Sequence, residues 1–262
     1  MARRTDYFVK SLGKGFKVLK AFTPERPELT LTEVADIVGF DRATTRRFLY
    51  TLEDLGLLEK NARRYFRLSP KILELAYTYI SSLHYPDIAL PYMEELREIF
   101  NESVNLGVLD GKEIVYVVRV PAKRIVGMNI RVGTRLPAHV TSMGKIILAH
   151  KPFRTVKALL GGKLEKFTDK SITDFEKFRE ELNITKERGY SVNNEELEQG
   201  LISIAVPIKD YTGDVIAALN IASSTSRHTI DSMVKEFLPE LNKVAETVSR
   251  QLGYRGEWKK IG

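Results

Sequence analysis

The chain is 262 residues long, with a net charge of +7, 43% hydrophobic residues and no cysteine. That length exceeds one ordinary domain and the apolar content suffices to bury a core in each of two, while 17 Gly, 10 Pro and mixed-sign charge exclude a collagen-like or disordered chain. The missing thiols exclude disulfides, cysteine nucleophiles and thiolate zinc sites, and no run of roughly 18 uncharged apolar residues offers a membrane span. Met1-Ala2-Arg3-Arg4-Thr5-Asp6 leads into no apolar secretory core, so a cytoplasmic protein with no membrane partner is expected.

Residues 1–85 hold 15 Lys/Arg against 10 Asp/Glu, whereas 86–262 hold 26 against 24, so the basic excess sits toward the N-terminus and points to a polyanionic partner there. Leu12, Phe16, Leu19 and Phe22 recur at helical spacing and predict a first helix over 11–22, ended by Pro24 and Pro27. Thr30 stands three residues before Glu33, the spacing of a reciprocal capping box, ahead of Leu31, Val34, Ala35 and Val38. Gly39 then supplies a left-handed stop. Only Phe40 separates this second helix from Asp41, an N-cap for a third helix running from Arg42 to about Leu55. Two short helices joined so tightly must cross steeply, the helix-turn-helix arrangement.

On a helical wheel, Phe48, Leu52 and Leu55 of the third helix turn inward, while Ala43, Arg46, Arg47 and Tyr50 turn outward. A small residue, two guanidiniums and a phenol suit a helix in the major groove, where arginine reaches guanine edges or phosphates. Arg42 and Thr44, at its start, join the candidate contacts. Residues 57–60 and 65–68 read as a hairpin with Leu58, Phe66 and Leu68 packed inward. Its turn, Asn61-Ala62-Arg63-Arg64, makes a wing tip on which Arg63 and Arg64 suit phosphate or minor-groove contact.

After Ser69-Pro70, the spacing of Ile72, Leu73, Leu75, Ala76, Tyr79 and Ile80 predicts a linking helix. The expected organisation is a winged helix-turn-helix domain over 1–69, a linker helix over 70–85 and a second domain over 86–262. Past Pro86 and Pro91 a helix should bury Met93, Leu96, Ile99 and Phe100. The period then falls from near four to two. Val104, Leu106 and Val108 pair with a strand over 114–120 about an Asp110-Gly111 turn, and strands over 201–208 and 215–223 follow before a last long helix over about 229–252. Strands and helices do not alternate in βαβ order, so the class is α+β, an antiparallel sheet with helices packed on it.

Residues 133–145, from Gly133-Thr134-Arg135-Leu136-Pro137 through Ala138-His139-Val140-Thr141 to Ser142-Met143-Gly144-Lys145, read as a loop that opens a helix. Free amides of a first helical turn bind a carboxylate without a charged side chain; Thr141 or Ser142 equally serves as an ordinary N-cap. Arg135 either pairs with an anionic ligand or sits on the surface. Ser142-x-x-Lys145 also matches a signature of serine acyl-transfer and penicillin-binding enzymes, with Ser191-Val192-Asn193 as a Ser-x-Asn element and no Lys-Thr-Gly element beside it. His84, His139, His150 and His228 lack the spacing of a shared metal site, so neither metal nor cofactor is expected. A winged helix that binds RNA or protein is the remaining alternative.

Ser11-Leu12-x-Lys14-Gly15-x-x-Val18-Leu19, Leu31-Thr32-Glu33-Val34-Ala35, Arg42-Ala43-Thr44-x-Arg46-Arg47-x-Leu49, Glu195-Glu196-Leu197-Glu198-x-Gly200-Leu201 and Ser203-Ile204-Ala205-Val206-Pro207 together resemble the IclR family of bacterial and archaeal transcription regulators, across nearly the whole chain. Thr134-Arg135-Leu136-Pro137 and Ser142-Met143-Gly144-Lys145 most resemble the branch that regulates protocatechuate and hydroxybenzoate catabolism. The resemblance implies a winged helix joined by a helix to a GAF-like effector-binding domain, and a non-enzymatic protein. It also implies a homodimer or dimer of dimers on a palindromic promoter site in double-stranded DNA, and a small organic acid effector, aromatic in that branch. Carried across residue by residue, it places the acid's carboxylate on the main-chain amides of Ser142 and Met143, with Asn193, Ser203 and Asn220 as polar contacts and Met128, Leu136 and Leu201 as apolar walls. Many relatives have an acidic residue where Asn193 stands and Arg where Ile202 stands, which alters the hydroxyls such a pocket accepts.

Overall fold

A computed structural model describes residues 8–82, 85–123 and 130–259, and the chain divides after Ser82 into two compact units. The first holds α1 (Lys10–Leu19), β1 (Glu28–Leu29), α2 (Leu31–Val38), α3 (Arg42–Asp54), β2 (Leu58–Lys60), β3 (Phe66–Leu68) and α4 (Ile72–Ser82). Its three strands pair antiparallel in the order β1-β3-β2. Thr30 makes the capping box with Glu33 at the head of α2, and Gly39 closes that helix at φ 67°. Lys17 of α1 donates through Nζ to the Val38 carbonyl at 2.6 Å, adding a cation to the C-terminal end of the α2 dipole.

Three details of this unit depart from the sequence pattern. Leu12 and Phe16 of α1 stay exposed, and Val18 and Ala21 enter the core beside the expected Phe22, which lies just past the helix. The buried face of α3 is Thr45, Leu49 and Leu52; Phe48 sits at its edge and Leu55 is 55% exposed. A threonine can hold an inward position because its hydroxyl donates to the Asp41 carbonyl at 3.0 Å, so no polar group is buried unpaired. Phe66 and Leu58 pack inward as expected, whereas Leu68, the last strand residue, stays exposed.

The second unit holds α5 (Tyr85–Phe100), β4 (Ser103–Asp110), β5 (Glu113–Val120), β6 (Arg135–Pro137), a 3-10 turn at Ala138–Val140, α6 (Ser142–Ala149), α7 (Phe153–Leu159), α8 (Phe175–Arg188), β7 (Ser191–Asn194), β8 (Leu201–Lys209), β9 (Val215–Ser224), α9 (Ile230–Glu236) and α10 (Leu238–Gln251). The six strands form one antiparallel sheet in the order β6-β5-β4-β9-β8-β7. Val104, Leu106, Ile204, Val206, Leu219 and Ile221 line one face and pack with Met93, Leu96, Leu241 and Val248 of α5 and α10. On the other face Ile114, Tyr116, Ala205 and Ala218 pack with Met143, Ile146, Val156, Phe178 and Leu182 of α6, α7 and α8. Apolar residues buried on both faces explain why β8 reads as a nearly unbroken apolar run.

Proline accounts for two differences from the expected elements. α5 starts at Tyr85 and runs through Pro91, whose lost hydrogen bond is outweighed by the burial of Tyr85, Ala89, Met93 and Leu96; Ile99 remains 62% exposed. The last helix is two, broken at Phe237, because Pro239 in the first turn of α10 cannot donate back to a preceding helical turn. Among the described residues no helix is long and apolar enough to cross a membrane.

Candidate DNA-reading face and effector site

Asp41 starts α3 by accepting the Thr44 N–H at 2.8 Å and the Thr44 hydroxyl at 2.7 Å, so that hydroxyl is engaged in capping. Arg42, Ala43, Arg46 and Arg47 are exposed beyond the cap. Among the described residues, neither these arginines nor Arg63 and Arg64 join a salt bridge. Tyr50 departs from its expected outward role. It is half-buried and edge-on to Phe66, with ring centroids 5.9 Å apart. Its hydroxyl accepts from Lys60 Nζ at 2.7 Å, which holds the phenol below its usual pKa. The Arg46 guanidinium lies 5.5 Å from its ring centre. Tyr50 therefore ties α3 to the hairpin.

In the hairpin turn, Asn61 Oδ1 accepts the N–H groups of Arg63 and Tyr65, each at 3.0 Å, and Arg64 adopts φ 65°, a left-handed value uncommon for a residue with a side chain. The Asn61 side chain thus fixes a turn that leaves Arg63 and Arg64 exposed. Sequence reading missed a neighbouring feature. Lys10, Ser11 and Lys14 face Thr44, Arg47, Phe48 and Thr51 across a groove of about 340 Å³, and the i, i+4 spacing of the two lysines was the available signal.

In the second unit, Thr141 caps α6 by accepting the Gly144 N–H at 3.2 Å, and its carbonyl accepts the Lys145 N–H at 3.0 Å. The amides of Ser142 and Met143 have no partner among the described residues, as the first turn of a helix requires. Beneath this turn a polar band crosses the sheet. Asn105 on β4 stands opposite Arg119 on β5 and Asn220 on β9, and Ser203 on β8 stands opposite Asn193 on β7. Ser142 Oγ meets Ser203 Oγ at 2.7 Å and Asn220 Nδ2 at 3.4 Å, while Ser191 Oγ donates to the Ser142 carbonyl. Asn193 Oδ1 accepts the Glu196 N–H at 2.9 Å.

Ser142, Met143, Asn193, Ser203 and Asn220 are buried; Leu136 and Leu201 are half-buried, and Met128 lies outside the described residues. Asn105, Arg119 and Tyr116 were not singled out from sequence, and Ser191 was read there only as part of a Ser-x-Asn element. The signal was a polar residue at one position of an otherwise apolar strand, as Asn105 lies between Val104 and Leu106. Burial pushes the Tyr116 phenol up to about 12, opposed by nearby Arg119. Arg135 is bound at the β4–β5 hairpin, to Glu113 at 2.8 Å and Asp110 at 2.7 Å.

Lys145, 1% exposed, pairs with Glu196 and lies 3.5 Å from Glu181, so Ser142 has no amine among its hydrogen-bond partners and the Ser-x-x-Lys signature lacks its base. Among the described residues no histidine or carboxylate cluster is arranged to hold a metal; His84 lies outside them. His139 Nε2 donates to the Glu165 carbonyl and His150 Nδ1 to the Ile146 carbonyl, each at 2.9 Å, and burial lowers both pKa values from the ordinary 6.5. Burial disfavours the charged form of both rings in the folded chain, so protonation favours the unfolded chain. Their contribution is complete above about pH 6.5 and is lost as pH falls toward the lowered native values. The urea midpoint should therefore drop between pH 7.5 and 5.5, and His139→Asn should flatten part of that slope.

Residues 11–62 match the IclR helix-turn-helix domain, and residues 77–250 match the bacterial transcriptional regulator IclR C-terminal domain. The chain is 35% identical over 247 residues to the Pca regulon regulatory protein of Pseudomonas putida, covering 94% of this chain and 84% of that one. It is 35% identical over 248 residues to the p-hydroxybenzoate hydroxylase transcriptional activator of Acinetobacter baylyi, covering 92% and 91%. An IclR homologue from Microbacterium hydrocarbonoxydans, solved in complex with 4-hydroxybenzoate, superposes with a TM-score of 0.82 at 27% identity, covering 92% of this chain and 98% of its own. Exposed arginines on a helix-turn-helix, an α+β second unit and similarity along most of the chain make this protein a member of the IclR family, the ligand-responsive, DNA-binding regulators of transcription.

Proposed function

We propose that this regulator acts in the cytoplasm as a homodimer or dimer of dimers on a palindromic operator, and that a small aromatic acid such as protocatechuate or 4-hydroxybenzoate shifts its operator occupancy. Residues 1–69 read the DNA, 70–85 link, and 86–262 form the GAF-like sensor. The observation that carries the reading is the set of outward guanidiniums that have no carboxylate partner among the described residues, at both α3 and the wing tip. Arg42, Arg46 and Arg47 enter the major groove, and Arg63 and Arg64 grip backbone or minor groove. Exposed Leu73, Leu75 and Tyr77 on α4, with Leu12 and Phe16 on α1, are the apolar surface assigned to a second copy, which sedimentation velocity measures.

The effector's carboxylate takes the amides of Ser142 and Met143, with Asn193, Ser203 and Asn220 around it and Met128, Leu136 and Leu201 as walls. The names of the two relatives and the 4-hydroxybenzoate held by the structural neighbour support this ligand class. The acid must bind two arrangements of the oligomer unequally, since equal affinity shifts nothing. No catalytic role is assigned, because Lys145 is engaged by acids.

Mobility shifts with operator DNA and with RNA test the partner, and thermal-shift screening with protocatechuate, 4-hydroxybenzoate, pyruvate and glyoxylate tests the ligand. Failure of all four acids beside binding of larger apolar compounds overturns the carboxylate reading. Arg46→Ala should weaken operator binding by about 1–3 kcal/mol and relax preference at one base pair; unchanged affinity removes Arg46 from the readers. Arg63→Ala should weaken all sequences alike and lower the slope of log affinity against log salt by about 1.

A further inference from the structure

The polar band under α6 has a direction, and its origin is Arg119. A guanidinium only donates, so Arg119 Nη1, 2.8 Å from Asn105 Oδ1, fixes which way that amide points. Asn105 Nδ2 must then face Asn220, whose Oδ1 receives it at 2.8 Å. Asn220 Nδ2 is in turn aimed at Ser142 Oγ, 3.4 Å away. A hydroxyl with a donor on its oxygen sends its own proton elsewhere, and Ser203 Oγ stands 2.7 Å from it. Either hydroxyl of this pair can donate; with Ser142 donating, the Ser203 proton is directed away from the chain. Asn105, Ser142, Ser203 and Asn220 are each at most 4% exposed, where hydrogen bonds polarise one another and a reversed link is costly.

We propose that Arg119 is the positioning residue that sets the charge preference of the effector site. Through Asn105 and Asn220 it orders every proton in the chain, so that Ser203 joins the α6 amides as a donor and the site takes a carboxylate in preference to the matching neutral carboxamide. The inference rests on the effector reading above and deepens it. A carboxylate offers only acceptors to such a site. A carboxamide brings an NH₂ group that meets donors and leaves them unpaired.

The test is calorimetry on the full chain with matched probes: 4-hydroxybenzoate and 4-hydroxybenzamide, benzoate and benzamide, pyruvate and pyruvamide. The unmutated protein should prefer the acid by at least about tenfold. Arg119→Met and Asn105→Leu should each bring that ratio to within about threefold by weakening the acid, and Arg119→Lys should retain most of it. Asn105→Leu keeps the Arg119 charge and cuts the relay, which separates proton ordering from simple attraction. Thermal melts by circular dichroism establish that each variant folds, and Arg119→Lys carries the test if Asn105→Leu does not fold. A ratio that survives Arg119→Met, or an equal loss of acid and amide, overturns the inference and leaves the effector reading standing. Silence of the unmutated protein toward every acid overturns both.

Discussion

Gly144→Ala should destabilise the second unit by on the order of 4 kcal/mol or more, enough to abolish its cooperative urea transition. A glycine inside a helix ordinarily costs about 1 kcal/mol relative to alanine, so propensity alone argues for stabilisation. Close approach decides the sign here. A Cβ on Gly144 would stand 2.0 Å from the Ala138 carbonyl oxygen, 2.4 Å from its Cα and 2.5 Å from its carbonyl carbon, all backbone atoms that cannot swing aside. The 3-10 turn at Ala138–Val140 lies directly against the first turn of α6, and only a residue without a side chain lets the Ser142 and Met143 amides sit there. Gly15→Ala on α1 supplies the contrast. Among the described residues its Cβ would meet Phe48 alone, at 3.8 Å, so a gain of about 0.5–1 kcal/mol is expected. Destabilisation of similar size in both variants would refute the close-approach argument.

Lys145→Met should cost about 3–5 kcal/mol, because it strands the buried Glu196 carboxylate. Glu196 is nearly as deep as Lys145, and its Oε2 has no hydrogen-bond partner among the described residues, so no second donor takes over when the ammonium is gone. Glu181 is less dependent on this lysine, since Arg188 Nη2 also reaches it at 3.1 Å. The double variant Lys145→Met with Glu196→Leu removes both charges and should recover most of the loss, as ion pairs replaced by apolar residues of similar volume often do. Urea unfolding of the two single variants and the double one measures the coupling. Additive losses would show that the two residues act independently.

The helix-turn-helix was legible because its signals are local. The Thr30–Glu33 capping box, the Gly39 stop and the Asp41 cap are set by neighbours within four residues, and each stands where its spacing placed it. β1 was not, since two residues are too short to show alternation and gain strand geometry only by pairing Leu29 with Phe66. The wheel misjudged α3 because it ranks hydrophobicity, and Thr45 earns its buried place through a backbone carbonyl. At the proposed effector site, the helix-opening loop could be read from 133–145. Asn105 and Arg119 could not be joined to it, because β4 meets β9 only through long-range pairing and β5 reaches β9 only by way of β4. The role of Lys145 likewise depends on Glu196, 51 residues away.

The brace formed by Lys60, Tyr50, Phe66 and Arg46 locks the reading helix and the wing into a single gauge of fixed width. With α3 and the hairpin tip seated on the duplex as proposed, a sequence whose groove is too narrow or too wide at that span must deform to fit, and the deformation energy falls on base pairs the protein never touches. On the DNA contacts proposed above, promoter choice then depends on duplex stiffness as well as on the letters under the arginines.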